Sequence, residues 1–399
     1  MSQLLLYNTW VVLPAAVQHG GVLIRDGDIV KVFSDDDKPR GISSTESVDL
    51  AGGYLAPGMI DIHIHGSVGV DVLAADNEAL GRLSEFLLSE GVTGYFATLV
   101  PADSRGYHAA IRNITSYSHS QDQRGARILG IHFEGPFVSH NRCGALQREY
   151  FRVYDGDARS LRLFTGEPDK RDSSFGRLIT LAPEVEGGLE LIRDLTSSGV
   201  RVFIGHTQAD ADTLDLAAES GARHITHFFN ALDQLHHRKP GAVAWGLVRG
   251  DITLDCIADF QHVHPLVLKM IYQAKGANRV ALISDAILPT GLGDGEFSVW
   301  GEKIAVCAGL TSLVGGPAPG TIAGSVITMR QAMKNIVSLG IPISEAVRMA
   351  TLVPAQAAAV EGERGSIQEG KRADLVAFDD DLNVKMSIVG GRPLFARHG

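Results

Sequence analysis

The chain has 399 residues, 45% of them hydrophobic, enough for one large domain with a smaller companion. Its formal net charge of −10 argues against nucleic acid or an anionic membrane as partner, and means that an anionic substrate needs a local positive pocket. Cys143, Cys256 and Cys307 have no paired spacing and no stretch is long and apolar enough to span a bilayer, so a cytoplasmic protein without a disulfide framework is expected.

Residues 3–53 read as short strands over 4–13, 21–33 and 47–50, with Asp26-Gly27-Asp28 as a hairpin turn inside the second. This β unit is too small to bury a core alone. The stretch Leu55-Ala56-Pro57-Gly58-Met59-Ile60-Asp61-Ile62-His63-Ile64-His65-Gly66 comes next and alternates strictly. Ile60, Ile62 and Ile64 point one way; Asp61, His63 and His65 point the other. Two imidazoles two residues apart on one strand face can grip one metal ion or open a two-metal site.

From residue 55 strands alternate with helix-length amphipathic stretches such as 77–90, 186–198, 209–220 and 264–275. The strands fall at 59–65, 94–99, 128–134, 178–182, 200–206, 223–228, 252–258 and 279–285, which predicts an α/β fold, a (β/α)8 TIM barrel. Residues 325–339 and 343–358 read as further helices, and 374–378 and 385–389 as strands. The expected organisation is a barrel over 55–360, with 1–54 and 361–399 combining into one small discontinuous β-sandwich.

Function in a barrel sits at the C-terminal strand ends. Those ends carry His63 and His65, Glu134, His206, His227 and Asp285, all metal-ligand or acid/base types. Singly, a histidine is more often structural and Asp285 would serve as a helix cap; chance does not readily place such residues at most of the strand ends. His132 shares the face of Glu134, whereas His224, of opposite parity to His227, is expected to face a helix.

Ile131-His132-Phe133-Glu134-Gly135-Pro136-Phe137, Gly205-His206-Thr207, Thr226-His227-Phe228-Phe229-Asn230-Ala231 and Ser284-Asp285-Ala286 resemble the N-acetylglucosamine-6-phosphate deacetylase family of the amidohydrolase superfamily. Ile322-Ala323-Gly324-Ser325 and Arg348-Met349-Ala350-Thr351 extend the resemblance over nearly the whole chain. The resemblance implies a homodimeric hydrolase that removes the N-acetyl group of a 6-phosphorylated amino sugar with one or two divalent metal ions, zinc, iron or similar. It implies Glu134, His206 and His227 as primary metal ligands, His63 and His65 as a pair for a second ion, and Asp285 as the catalytic acid/base. It implies substrate contacts from Ala145, Asn230, Ala231, Arg238, His262 and the loop Ile322, Ala323 and Gly324. The superfamily's carboxylated lysine after strand four has no counterpart in Thr180-Leu181-Ala182-Pro183-Glu184, which makes Glu134 the natural bridging ligand.

Three departures from the family pattern are expected to make the pocket more apolar: Leu146 where a histidine is usual, Phe260 where glycine is usual, and the bulky Ile287-Leu288 after Asp285. The basic run His236-His237-Arg238-Lys239 supplies positive charge for a phosphate. The competing readings are an N-acetylgalactosamine-6-phosphate deacetylase, a deaminase or cyclic-amide hydrolase as a weaker rival, and a catalytically silent scaffold on the same fold.

Overall fold

A computed structural model describes residues 3–39, 46–120, 124–157, 160–166, 175–315 and 319–397. Eight parallel strands run Met59–Ile64, Val92–Leu99, Arg127–Glu134, Gly176–Leu181, Arg201–Ile204, His224–Ile225, Thr253–Ile257 and Val280–Ile283, each paired with its neighbour in chain order. Helices cover their outer faces, so the strands are apolar on both sides; Val92–Leu99 is buried from end to end. Several helices form where apolar residues recur at helical spacing beside a capping side chain. Asn77–Ser89 buries Leu80, Leu83, Leu87 and Leu88, and the Asp76 carboxylate caps it by accepting the Ala79 N–H. The helix expected over 343–358 is two, Ile343–Ala350 and Leu352–Ala357, because Pro354 has no N–H to continue the first.

The amino- and carboxyl-terminal strands share one second sheet. Gln3–Val12, Val17–Arg25, Asp28–Ser34 and Tyr54–Pro57 join Leu375–Phe378, Val384–Val389 and Arg392–Ala396, and Glu46–Asp49 pairs with the first of them. The two ends of the chain meet where Leu55 opposes Ala377. Leu6, Val22, Ile24, Leu55, Leu375 and Ile388 fill the core between them. The expected hairpin turns at Asp26 and Gly27, both at positive φ, 51° and 97°.

An element absent from the sequence reading follows the eighth barrel strand. Gly295–Val299, Glu302–Cys307 and Leu310–Leu313 form a three-stranded antiparallel insert. Its tight turns, Trp300-Gly301 and Ala308-Gly309, have positive φ at both positions, the backbone that two-residue hairpins require.

The first and eighth strands close the barrel through few main-chain bonds. The Asp285 N–H donates to the His63 carbonyl at 2.9 Å, and the His65 N–H to the Ala286 carbonyl at 2.8 Å. Buried Asp61 adds a side-chain tie: one carboxylate oxygen accepts the N–H groups of His63 and Ser284, each at 3.3 Å, and the other accepts the Ser284 hydroxyl at 2.5 Å. Asp61→Ala therefore leaves three buried donors unpaired, and each unsatisfied group costs ~1–3 kcal/mol. Thermal denaturation is expected to register a lower Tm for Asp61→Ala and a much smaller loss for Asp61→Asn, whose amide oxygen still accepts both N–H groups.

Candidate metal centre and active site

Glu134 closes its strand on the inner face, but His206, His227 and Asp285 lie just beyond theirs, at φ 47°, 31° and 49°. Left-handed backbone at non-glycine residues is strained. Here it turns each side chain off the strand direction and across the mouth of the barrel. The predicted strands 200–206, 223–228 and 279–285 stop short for this reason. The residue before His206 has to be small, because a Cβ on Gly205 would lie 2.6 Å from Thr180 Cγ2.

These turns bring the polar strand ends together into two adjoining groups, His63 with His65 and Asp285, and Glu134 with His206 and His227. Glu134 belongs to the second and faces the first. Its Oε1 lies 2.9 Å from His206 Nε2 and 3.1 Å from His227 Nε2, while its Oε2 lies 3.3 Å from His65 Nε2. Asp285 Oδ1 is 3.4 Å from His63 Nε2 and 3.2 Å from His65 Nε2. It caps no helix, which removes the structural alternative for this residue.

The histidines are oriented from behind. His206 Nδ1 donates to the Arg142 carbonyl at 2.8 Å, His227 Nδ1 to the Asn230 carbonyl at 3.2 Å, and His65 Nδ1 to the Thr98 carbonyl at 3.3 Å. A carbonyl only accepts, so Nδ1 carries a proton in each ring and Nε2 faces inward, where it holds a second proton or, once that is lost, offers a lone pair. The Nε2 atoms of His206 and His227 approach to 3.1 Å, as do those of His63 and His65. Nitrogen lone pairs and carboxylate oxygens converging in this way fit a divalent cation.

The electrostatics agree. Burial opposes ionisation of Glu134, but facing His63 and hydrogen bonds from His206 and His227 hold its carboxyl well below the usual range. Burial likewise opposes ionisation of Asp285, and His63 and His65 outweigh it. Burial also opposes charge on His65, yet Asp285 and Glu134 raise its pKa to about 10; His227 is raised to about 9 mainly by Glu134. The cluster of carboxylates demands positive charge, from ring protons or from a cation that replaces them.

A cavity of about 300 Å³ opens above this cluster. Ala145, Asn230, Ala231, His262, Ile322 and Gly324, expected as substrate contacts, line it. His262 Nδ1 is engaged by Asp259 at 2.7 Å, leaving Nε2 for the cavity. Other expected contacts lie elsewhere. Ala323 buries its methyl group against Ile287 and Ile304. Arg238 is exposed and bonded to His237 at 2.8 Å, away from its own chain's cavity. Among the described lining residues there is no lysine or arginine.

The expected apolar pocket arises from different residues than those named. Leu146 does line the cavity, but Phe260 packs on the barrel core, and Ile287 and Leu288 pack beneath the insert. The sequence reading missed Trp300. The first turn of the insert sets its ring edge-on to His65, with centroids 5.1 Å apart, and Gln147 holds its carbonyl at 2.7 Å. The Trp300-Gly301 turn signal was available; its position over the mouth was not.

Two inward histidines sit below the cavity. His132 packs edge-on to His63 and lies between the Ile62 carbonyl, at 2.9 Å, and Thr180 Oγ1, at 2.8 Å. His224 does not face a helix. It opposes Phe203 in register, on the face of Thr180 and Glu134, and bonds to Asp255. Parity counted from His227 failed because the strand stops at Ile225.

Comparison with known proteins follows the same lines. The amidohydrolase family model matches residues 256–394. An N-acetylglucosamine-6-phosphate deacetylase of Bacillus subtilis is 34% identical over 95% of this chain and 93% of its own. An N-acetylgalactosamine-6-phosphate deacetylase of Escherichia coli O157:H7 is also 34% identical, over 92% and 93%. A Mycobacterium smegmatis N-acetyl-D-glucosamine-6-phosphate deacetylase, an aspartate-to-alanine variant solved with N-acetyl-D-glucosamine 6-phosphate, superposes with a TM-score of 0.86 at 30% identity over 99% of both chains. With its barrel, its converging strand-end ligands and relatives matched over almost their full length, the chain belongs to the N-acetylglucosamine-6-phosphate deacetylase family of amidohydrolases.

Proposed function

We propose that the protein is a cytoplasmic, metal-dependent hydrolase that converts N-acetyl-D-glucosamine 6-phosphate to D-glucosamine 6-phosphate and acetate. The observation that carries this reading is the Glu134 carboxylate, one oxygen facing His206 and His227 and the other facing His65 next to Asp285. In this reading Glu134, His206 and His227 would hold a divalent ion, zinc, iron or similar, and His63 and His65 would serve a second one. A divalent ion in such a site acidifies water and polarises a carbonyl. The chain's own residues do the rest. Asp285, kept ionised by His63 and His65, takes the proton of the attacking water and delivers it to the sugar nitrogen, which leaves badly as an unprotonated amine. His262 and Asn230 orient the sugar from the cavity wall, and Leu146, Trp300 and Ile322 exclude water from that side.

The phosphate finds no lysine or arginine among the described residues that line the cavity of its own chain. Arg238 stands on an exposed turn, and in this reading it serves the cavity of a second subunit in a homodimer. N-acetyl-D-galactosamine 6-phosphate is the second substrate to test, because a relative of equal identity is named for it. Acetate release from the two phosphorylated sugars and their unphosphorylated forms ranks them; release from none would leave a silent scaffold.

Three variants test the assignments. Asp285→Asn keeps the shape but cannot carry the proton, so kcat is expected to fall on the order of 10²–10⁴-fold with metal content retained. Near-normal turnover by the folded, metal-loaded variant would sink the mechanism. His206→Ala is expected to lose both metal and activity, as measured by elemental analysis and acetate assay. Arg238→Ala should raise KM for the phosphorylated sugar and leave slow turnover of the unphosphorylated one unchanged; equal losses on both would remove the phosphate role.

A further inference from the structure

Another buried carboxylate lies beneath the centre, and nothing in the proposed reaction uses it. Asp255 stands on the strand Thr253–Ile257 and is fully buried. One of its oxygens accepts the backbone N–H of His227 in a short hydrogen bond. The other accepts His224 Nε2–H at 2.8 Å, and the opposite nitrogen of that ring lies 2.7 Å from the Thr253 hydroxyl. The Asp255 carbonyl takes the next amide along, Phe228 N–H, at 2.8 Å.

The need for this arrangement comes from the brevity of the sixth barrel strand. His224–Ile225 is two residues long, and its ladder to the seventh strand ends at Ile225 opposite Leu254. His227 follows at φ 31°, a conformation that no regular sheet pairing holds. Where the ladder stops, the Asp255 side chain takes over. We propose that Asp255, itself braced by His224, is a positioning residue: it pins the left-handed backbone of His227 and so sets where that ring points into the centre. The inference rests on the reading of His227 as a metal ligand. It makes metal affinity depend on a carboxylate that never touches the ion.

The test compares Asp255→Ala, Asp255→Asn and the wild type in the full chain. Affinity for zinc is measured by chelator competition on metal-stripped protein, with Tm and circular dichroism alongside. Loss of a group that orients a metal ligand typically costs roughly 10–100-fold in affinity, and that loss is expected for Asp255→Ala. Asp255→Asn is expected to recover most of it, because its amide oxygen still accepts from His227 and its amide N–H₂ can donate to His224 in the other tautomer. If Asp255→Ala does not fold, Asp255→Ser, too short to reach His227, carries the same expectation. Wild-type zinc affinity in a folded Ala or Ser variant would overturn the inference even if Tm had dropped. So would an Asn variant as weak as Ala. A wild type that binds neither zinc nor iron(II) would overturn both the inference and the metal reading beneath it.

Discussion

The hydrogen bonds that join the first barrel strand to the eighth bring this protein's chemistry into one place. His63 and His65 stand at one end of the eight-strand path and Asp285 at the other. In an open sheet they would occupy opposite edges. The Asp285 N–H to His63 carbonyl bond, the His65 N–H to Ala286 carbonyl bond and the Asp61 tie to Ser284 fold the path into a ring. Joining segments so distant in sequence costs loop-closure entropy, but that cost grows only slowly with loop length. The apolar layer between strands and helices offsets it.

Closure concentrates like and unlike charges in a buried space. Buried carboxylates and imidazoles crowd within hydrogen-bonding distance, while His206, His227 and Asp285 sit in strained backbone. Such strain persists only where the surroundings over-determine it. The carbonyls of Arg142, Asn230 and Thr98 hold the rings from behind. Asp61 and Asp255 do related work from within the barrel, each accepting the main-chain N–H of a histidine. The interior is therefore a polar scaffold as well as an apolar core.

Above the centre, the walls come from loops of different origin. The turn after the third strand supplies Ala145 and Leu146, the insert supplies Trp300, and the later loop supplies Ile322. Their apolar character and the lack of a lysine or arginine among the described lining residues set largely apolar walls over a charged floor. A doubly charged phosphate needs a cation from outside that lining, which gives the exposed run around Arg238 its interest.

The amino-acid sequence by itself determined the eight strands, most of the helices, and the strand-end residues that meet at the centre. Alternation is a local property, so Asp61, His63 and His65 declared their common face without help, and the Asp76 cap marked the start of its helix. Only the tertiary structure decided what depends on the exact end of a strand or on contacts between distant segments. Parity assigned His224 to the wrong face because the strand stops at Ile225 and His227 turns back in left-handed backbone. Phe260, Ala323 and Ile287 sit in loops without periodicity, where neighbouring clusters set the direction of each side chain. Trp300 reached the centre on an insert whose turns were legible but whose docking was not. The division of Glu134's two oxygens between the histidine groups required the ring to close, because a sequence specifies which groups a strand carries while long-range packing fixes which of them meet.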